Sequence, residues 1–89
     1  MQTSPTVSDA SKAYMEAAEK MFGPIMEGLQ ADDPDVAFVR ALIANHQGSI
    51  ALAKVRLQYG KDEQTKTLAE NLIREREKEI RDLEAWLKK

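Results

Sequence analysis

Apolar residues recur along the chain at alternating steps of three and four, the spacing that places them on one side of an α-helix. Turn residues separate three such stripes, and His46 and Arg76 are polar members of the second and third. The stripes are Met15, Ala18, Phe22, Ile25 and Leu29; Val39, Ile43, His46, Ile50, Ala53 and Leu57; and Ala69, Ile73, Arg76, Ile80, Leu83 and Leu87. The pattern predicts an all-α protein, an antiparallel three-helix bundle in which the first helix closes a common core.

The first helix should begin at Ser8 or Ser11, because a serine oxygen can accept a free backbone N–H of the opening turn, and should run to about Gln30. Pro24 within it lacks the N–H that would bond to the Lys20 carbonyl. We therefore expect a kink near Gly23-Pro24, with a complete break as the alternative.

The second helix should span about 34–59, with Asp33 as its N-cap and Pro34 at its first position. Gly60 is expected to end it in the left-handed conformation, and Asp62 to cap a third helix that continues to about Leu87. The short connection requires an antiparallel hairpin.

The second helix also carries apolar residues outside its stripe, so we expect it to be covered on more than one side. Its adjacent face comprises Phe38, Ala41, Asn45, Ser49 and Leu52, and its polar arc narrows to Arg40, Gln47, Lys54 and Gln58. Residues 1–7 are predicted to be a flexible tail and residues 8–89 a single domain. A chain this small has a marginal core, which makes completion by dimerisation plausible.

Composition supports the helical prediction and excludes several classes of function. Val, Ile and Thr supply only 13 of 89 residues, whereas strong helix formers dominate. The net charge of −2 provides no basic field for nucleic acid. There is no cysteine for a disulfide, a thiolate metal site or a nucleophile. No apolar run is long enough to insert into a membrane.

Counting residues from each turn, here called hairpin arithmetic, predicts a polar layer in the bundle. Residues equally far from an antiparallel turn lie at the same height along the helices, which pairs His46 with Glu75. The same counting places Met15 and Met21 within about 4.5 Å of the height of His46 along the helix axis. Imidazole and thioether ligands suit copper(I), so this layer is a candidate metal site. The alternative is a histidine that bonds to Glu75 or Glu79, with Arg76 neutralising the carboxylate and methionines that only fill space.

Further residues carry a resemblance to a known family. The segment 35–53, followed by Leu57-Gln58-Tyr59-Gly60-Lys61-Asp62 and by Leu68-Ala69, Glu79-Ile80 and Ala85-Trp86-Leu87, resembles domain-of-unknown-function family 305 over about residues 13–88. The resemblance implies a small ferritin-like helical bundle, usually exported to the periplasm or secreted, that binds copper through His and Met. Because the chain shows no signal peptide and its polar start is equally compatible with a processed N-terminus, a cytoplasmic location stays open.

The resemblance implies His46 as nitrogen ligand and Met15, Met21 and Met26 as thioether ligands. Asn45 stands where the family usually has the first histidine of a pair. Leu42, Leu52 and Leu83 stand where many members have Met, and Arg76 where a Gln is common. Leucine cannot ligate, so these differences indicate a metal site that lost donors while it kept its volume.

Two functions follow from these expectations. The first is copper sequestration or delivery through a weakened site, with Glu75 or Glu79 orienting His46. The second is a metal-free helical module that acts through a homodimer or another protein partner, since Gly48 and Ser49 permit close helix approach. We do not expect an enzyme, because the sequence has no nucleophilic arrangement, no glycine-rich phosphate loop and no repeated Glu-x-x-His pair.

Overall fold

The computed structural model describes residues 8–89, which form three long α-helices. Helix α1 spans Asp9–Leu29, α2 spans Pro34–Tyr59 and α3 spans Glu63–Leu87. The described residues contain no strand. The all-α, three-helix prediction is confirmed, and the predicted tail of residues 1–7 lies outside the described residues.

Each helix begins at the capping residue that the sequence suggested. Ser8 Oγ accepts the Ser11 N–H at 3.1 Å, and of the two serines proposed it is Ser8 that caps α1. Asp33 Oδ1 accepts the Asp35 N–H at 2.8 Å, and Asp62 Oδ2 accepts the Thr65 N–H at 2.8 Å. These bonds satisfy backbone donors that have no partner inside the helix, which explains why the boundaries were predictable.

Helix α1 continues through Gly23 and Pro24 without a break. The complete interruption that was considered as an alternative therefore does not occur. Pro24 lies on the side of α1 that faces α2, where it lines a small cavity together with Met21 and Gly48. The kink at this proline stays a prediction.

Gly60 does not adopt the left-handed conformation predicted for it. Its φ of −77° and ψ of 166° are extended, so the chain leaves α2 in a conformation open to any residue. A Cβ at this position would meet the end of the Arg56 side chain, which would have to shift to make room for it. Arg56 crosses the turn and donates from Nε to Thr65 Oγ1 at 2.7 Å, which ties the end of α2 to the start of α3.

The three helices lie side by side in a row with α2 in the middle. Both α1 and α3 pack against α2, whereas no Cα atom of α1 comes within 8 Å of one in α3. The molecule measures 55 × 30 × 12 Å, and its shortest dimension is about the diameter of one helix with its side chains. The expectation that α1 closes a common core is therefore wrong: the bundle is a single antiparallel layer.

Small residues on two opposite sides of α2 explain this arrangement. Toward α1, Gly48 lies against Met21 and Gly28 lies against the backbone of Ala41, so the two helices approach closely. The buried side chains of the described residues are small or β-branched: Ala17, Val39, Ala44, Ile50, Ala53 and Ala69. None of the larger side chains in the described part of the chain is fully buried.

A single layer has two faces, and in this protein they differ in chemistry. One open groove is lined by Tyr14 of α1, Leu52 of α2, and Leu68 and Leu72 of α3, so these residues share a face. Helical spacing places further apolar side chains beside them. We define the apolar face by Tyr14, Phe22, Ile25, Leu29, Phe38, Leu42, Leu52, Leu68, Leu72 and Leu83.

The opposite face is polar. Glu16 and Lys20 of α1 lie there beside Lys54 of α2, around a shallow depression. Arg40 and Gln47 precede Lys54 at steps of seven residues, two helical turns each, and both are exposed. The polar arc predicted for the second helix is therefore exposed to solvent on this side. The adjacent face predicted for that helix, which includes Phe38 and Leu52, lies on the apolar face.

The close contact between α1 and α2 predicts that Gly28→Ala destabilises the protein. A Cβ at Gly28 would lie 2.9 Å from the Ala41 nitrogen and 3.0 Å from the Arg40 carbonyl carbon, and backbone atoms cannot move aside cheaply. Overpacking costs about 1–3 kcal/mol, generally more than the about 1 kcal/mol that Ala gains over Gly inside a helix. Urea denaturation should show a lower free energy of unfolding.

Glu19→Ala is the control, because it also places an alanine on α1 but at an exposed position. Gly23 is unsuitable as a control, since a Cβ directly before Pro24 clashes with the proline ring in a helix. We expect no comparable loss from Glu19→Ala. Equal stability of the two variants would contradict the close approach of α1 to α2.

Candidate functional site

The polar residues of the second and third stripes meet in one place between α2 and α3. His46 of α2 lies opposite Arg76 and Glu79 of α3, beside an open cavity of about 450 Å³. Its full lining is Leu42, His46, Arg76, Glu79, Asp82 and Leu83, and we call it the His46 cavity. Since Leu42 and Leu83 belong to the apolar face, the cavity opens on that face.

Glu79 is the centre of a three-residue cluster. Its Oε1 lies 2.8 Å from His46 Nε2 and 3.1 Å from an Nη of Arg76. The His46 side chain retains 12% exposure and Glu79 retains 49%, so the imidazole is held inside while the carboxylate reaches water. The expectation that Arg76 neutralises the carboxylate beside His46 is confirmed.

The carboxylate that contacts His46 is Glu79, and the pairing with Glu75 from hairpin arithmetic is wrong. Helical side chains lean toward the N-terminus of their own helix. His46 therefore leans away from the turn between α2 and α3, whereas side chains of α3 lean toward that turn. The ends of the two side chains meet only if the α3 residue lies about one helical turn further from the loop, which selects Glu79 over Glu75.

The two nitrogens of His46 have different surroundings. Nε2 is bonded to the Glu79 carboxylate, whereas Nδ1 is buried and has no hydrogen-bond partner in the described structure. The carboxylate accepts a hydrogen bond from Nε2–H, and this leaves the lone pair of the neutral ring on Nδ1. Nδ1 is thus the ring nitrogen that has no partner in the described structure.

The methionines expected as ligands lie on α1, across α2 from His46. Met21 packs against Gly48 on the side of α2 that faces α1. Met15 and Met26 are 48% and 58% exposed. None of the three lines the His46 cavity. A closed bundle would have brought α1 over the imidazole, but a row of helices keeps them apart.

The donors around His46 do not fit a copper(I) site built within one chain. The His46 cavity offers one imidazole and two carboxylates, and Glu79 is already bonded to Arg76. Copper(I) prefers thioether and imidazole donors, and no sulfur lines the cavity. Residues 8–89 contain no group of three or more His, Asp or Glu side chains placed to hold a metal. Asn45, the expected neighbour of the site, is exposed.

Three positions at which the resemblance implied other residues surround His46. Leu42 and Leu83, where it implied Met, and Arg76, where it implied Gln, all line the His46 cavity. Leu52, the third such leucine, lines the groove with Tyr14 instead. The hairpin arithmetic missed Leu42 and Leu83, although each lies four residues from a cavity member, Leu42 before His46 and Leu83 after Glu79.

Comparison with known sequences supplies one match. The sequence model of a family described as "Domain of unknown function (DUF305)" matches residues 1–87. No curated protein matches the chain significantly. Within the described residues, no helix combines the length and the apolar character that crossing a membrane would require.

The contact with Glu79 predicts the tautomer of neutral His46. Nitrogen-15 NMR, at a pH where the ring is neutral, should show the proton on Nε2, because only that nitrogen has an acceptor. Glu79→Leu should move the tautomer ratio toward that of a free imidazole. Glu75→Leu, which removes the partner that hairpin arithmetic suggested, should leave the ratio unchanged; the reverse result would restore that pairing.

Proposed function

The chain belongs to the DUF305 family, and we propose that it acts as a helical interaction module that binds another surface through its apolar face. The observation that carries this proposal is that large apolar side chains are exposed while small ones are buried. Phe22 is 60% exposed and Phe38 and Leu68 are each 63% exposed, whereas the buried residues are mostly alanines.

Large exposed apolar side chains are common one at a time, but a contiguous group on one face indicates a binding surface. Here they occur on all three helices, with Phe22 on α1, Phe38 on α2 and Leu68 on α3. Helical spacing places Leu42, Leu52 and Leu72 on the same side of the layer between them. The single layer also leaves each helix with apolar atoms that no neighbour covers. Domains ordinarily pack two layers, so an uncovered layer is suited to receive a second one.

Polar groups on this side of the molecule support an apolar partner. Glu79 is neutralised by Arg76 and bonded to His46, and Asp82 lies 3.5 Å from Lys78. A partner would therefore not have to supply opposite charges. The proposal needs no metal, in keeping with the donors around His46.

We expect a dye that fluoresces on apolar surfaces to bind the dilute, folded protein at this face. Phe38→Gln with Leu68→Gln should reduce dye binding and leave helicity unchanged, because both side chains are already mostly exposed. Near-ultraviolet circular dichroism of Trp86 should confirm that the parent is folded during the measurement, since loosely packed states also bind such dyes.

The matched control is Gln47→Ala with Lys54→Ala on the polar face, which also changes two exposed residues of the same layer. It should leave dye binding unchanged. A folded parent that is monomeric at the dilution used and binds no dye, or a loss of binding equal to that of the control, would contradict the proposed function.

A second candidate function is copper(I) binding through His46, which the family resemblance favours. It is supported by the buried Nδ1, which lacks a partner while Glu79 holds the other nitrogen, because metal-binding histidines are commonly oriented by a carboxylate in this way. One imidazole without sulfur makes a weak site for copper(I).

Restoring sulfur to the His46 cavity should strengthen copper(I) binding. We expect Leu42→Met with Leu83→Met to bind copper(I) at least tenfold more tightly than the parent, a gain of about 1.4 kcal/mol, because both thioethers would face the cavity that His46 lines. Competition with a colorimetric chelator under reducing conditions measures the affinity.

Two controls make the copper experiment specific. Leu52→Met adds a thioether to the separate groove that Tyr14 lines and should not raise the affinity for copper(I). His46→Ala in the double variant should abolish the gain. Unchanged affinity in the double variant, or a gain that survives the loss of His46, would contradict a copper site at this cavity.

A further inference from the structure

We propose that the apolar face is covered by a second copy of this chain, so that two single layers form a two-layer dimer of three helices each. The inference rests on the proposed function, to which it adds the identity of the partner. A twofold axis would place the same face of both copies in contact, which is the most common symmetry of soluble dimers.

The broad face of the layer is large enough for such an interface. The longest helix, α2, has 26 residues and is therefore about 39 Å long, and the layer is 30 Å wide. The footprint of this face, roughly 1,200 Å², exceeds the about 800 Å² that each partner buries in a standard interface.

The shape of the layer fits its own copy. The layer is only 12 Å thick but 30 Å wide, so its broad face is matched by a partner of similar breadth. A second layer of the same dimensions has that breadth and would double the thickness to two helices. It would also place Phe22, Phe38 and Leu68 of both copies in an apolar interior, as in an ordinary two-layer domain.

The charges around the apolar face favour an apolar protein surface over a lipid membrane. Helices that lie on membranes carry Lys and Arg along the border of their apolar side. Here Arg76 is bonded to Glu79, and Arg56 is bonded to Thr65 and to the Asp62 carbonyl. These cations are engaged within the chain, and a net charge of −2 opposes the approach of two copies only weakly.

The chain's own first residues do not suit this face. Residues 1–7, Met-Gln-Thr-Ser-Pro-Thr-Val, contain five polar or proline residues between their two apolar ends. Seven residues span at most about 25 Å, which is less than the about 39 Å length of α2. A second copy supplies apolar side chains over the full length.

The test is sedimentation equilibrium of the full chain at several micromolar concentrations, with Phe38→Glu as the variant. The parent should sediment at about twice 10.0 kDa. Phe38→Glu should raise the dimer dissociation constant at least about tenfold, because the change places a charge inside the interface. Since Phe38 is 63% exposed within one copy, circular dichroism should show the variant still helical.

Gln47→Glu is the matched control: it adds the same negative charge to the same helix, but on the polar face, and should leave the dissociation constant unchanged. A monomeric parent at 100 µM, or equal weakening by both variants, overturns the second copy as the partner. A monomer whose face still binds the apolar dye refutes only the dimer, whereas a monomer that binds no dye refutes the proposed function as well.

Cosedimentation with neutral and anionic phospholipid vesicles tests whether a lipid surface, and not a second copy, covers the apolar face. The parent and the Phe38→Glu variant are both used. Parent protein that remains in the supernatant and dimeric supports the proposal. Protein that is monomeric in solution and sediments with the vesicles, in a manner that Phe38→Glu abolishes, overturns it in favour of a lipid surface.

Discussion

The packing of two helices on opposite sides of α2 is the constraint on which the rest of this structure depends. Alanine and glycine occupy the side that faces α1, and Val39, Ile50 and Ala53 are buried along the rest of α2. Once both sides are filled, α1 and α3 lie too far apart to meet. The large side chains of the outer helices then have no opposite layer within the chain, so the apolar face is a direct consequence of where the small residues lie.

The same constraint decides what the polar cluster can do. His46 lies on the α3 side of α2, and Met21 lies on the α1 side against Gly48. Because α2 separates them, the imidazole and the thioether of one chain cannot share an ion in this arrangement. The cluster is instead completed within the hairpin of α2 and α3, where Glu79 holds His46 and Arg76 balances the carboxylate.

The helix boundaries could be predicted from the sequence because they depend on capping hydrogen bonds between near neighbours. The arrangement of the helices could not be predicted in this way. Ser8, Asp33 and Asp62 satisfy free backbone donors in their own turn, so the start of each helix is fixed by a few neighbouring residues. The choice between a closed triangle and an open row depends on contacts between helices, and helical periodicity is equally compatible with both. Glu79 was missed as the first choice for a similar reason, since Cα heights ignore the direction in which side chains lean.

The residues around His46 connect the apolar face with the differences from the resembled family. A carboxylate covered by an apolar partner without a counter-charge is strongly unfavourable, and Arg76 removes that difficulty by pairing with Glu79. Leu42 and Leu83 line the same cavity and provide apolar volume with fewer rotatable bonds than methionine, so less conformational entropy is lost when they are covered. Each of these residues lowers the suitability of the cavity for a soft metal and raises its suitability for a second apolar layer. The residues that make the cavity unsuited to a soft metal are therefore the same ones that the proposed second apolar layer would contact.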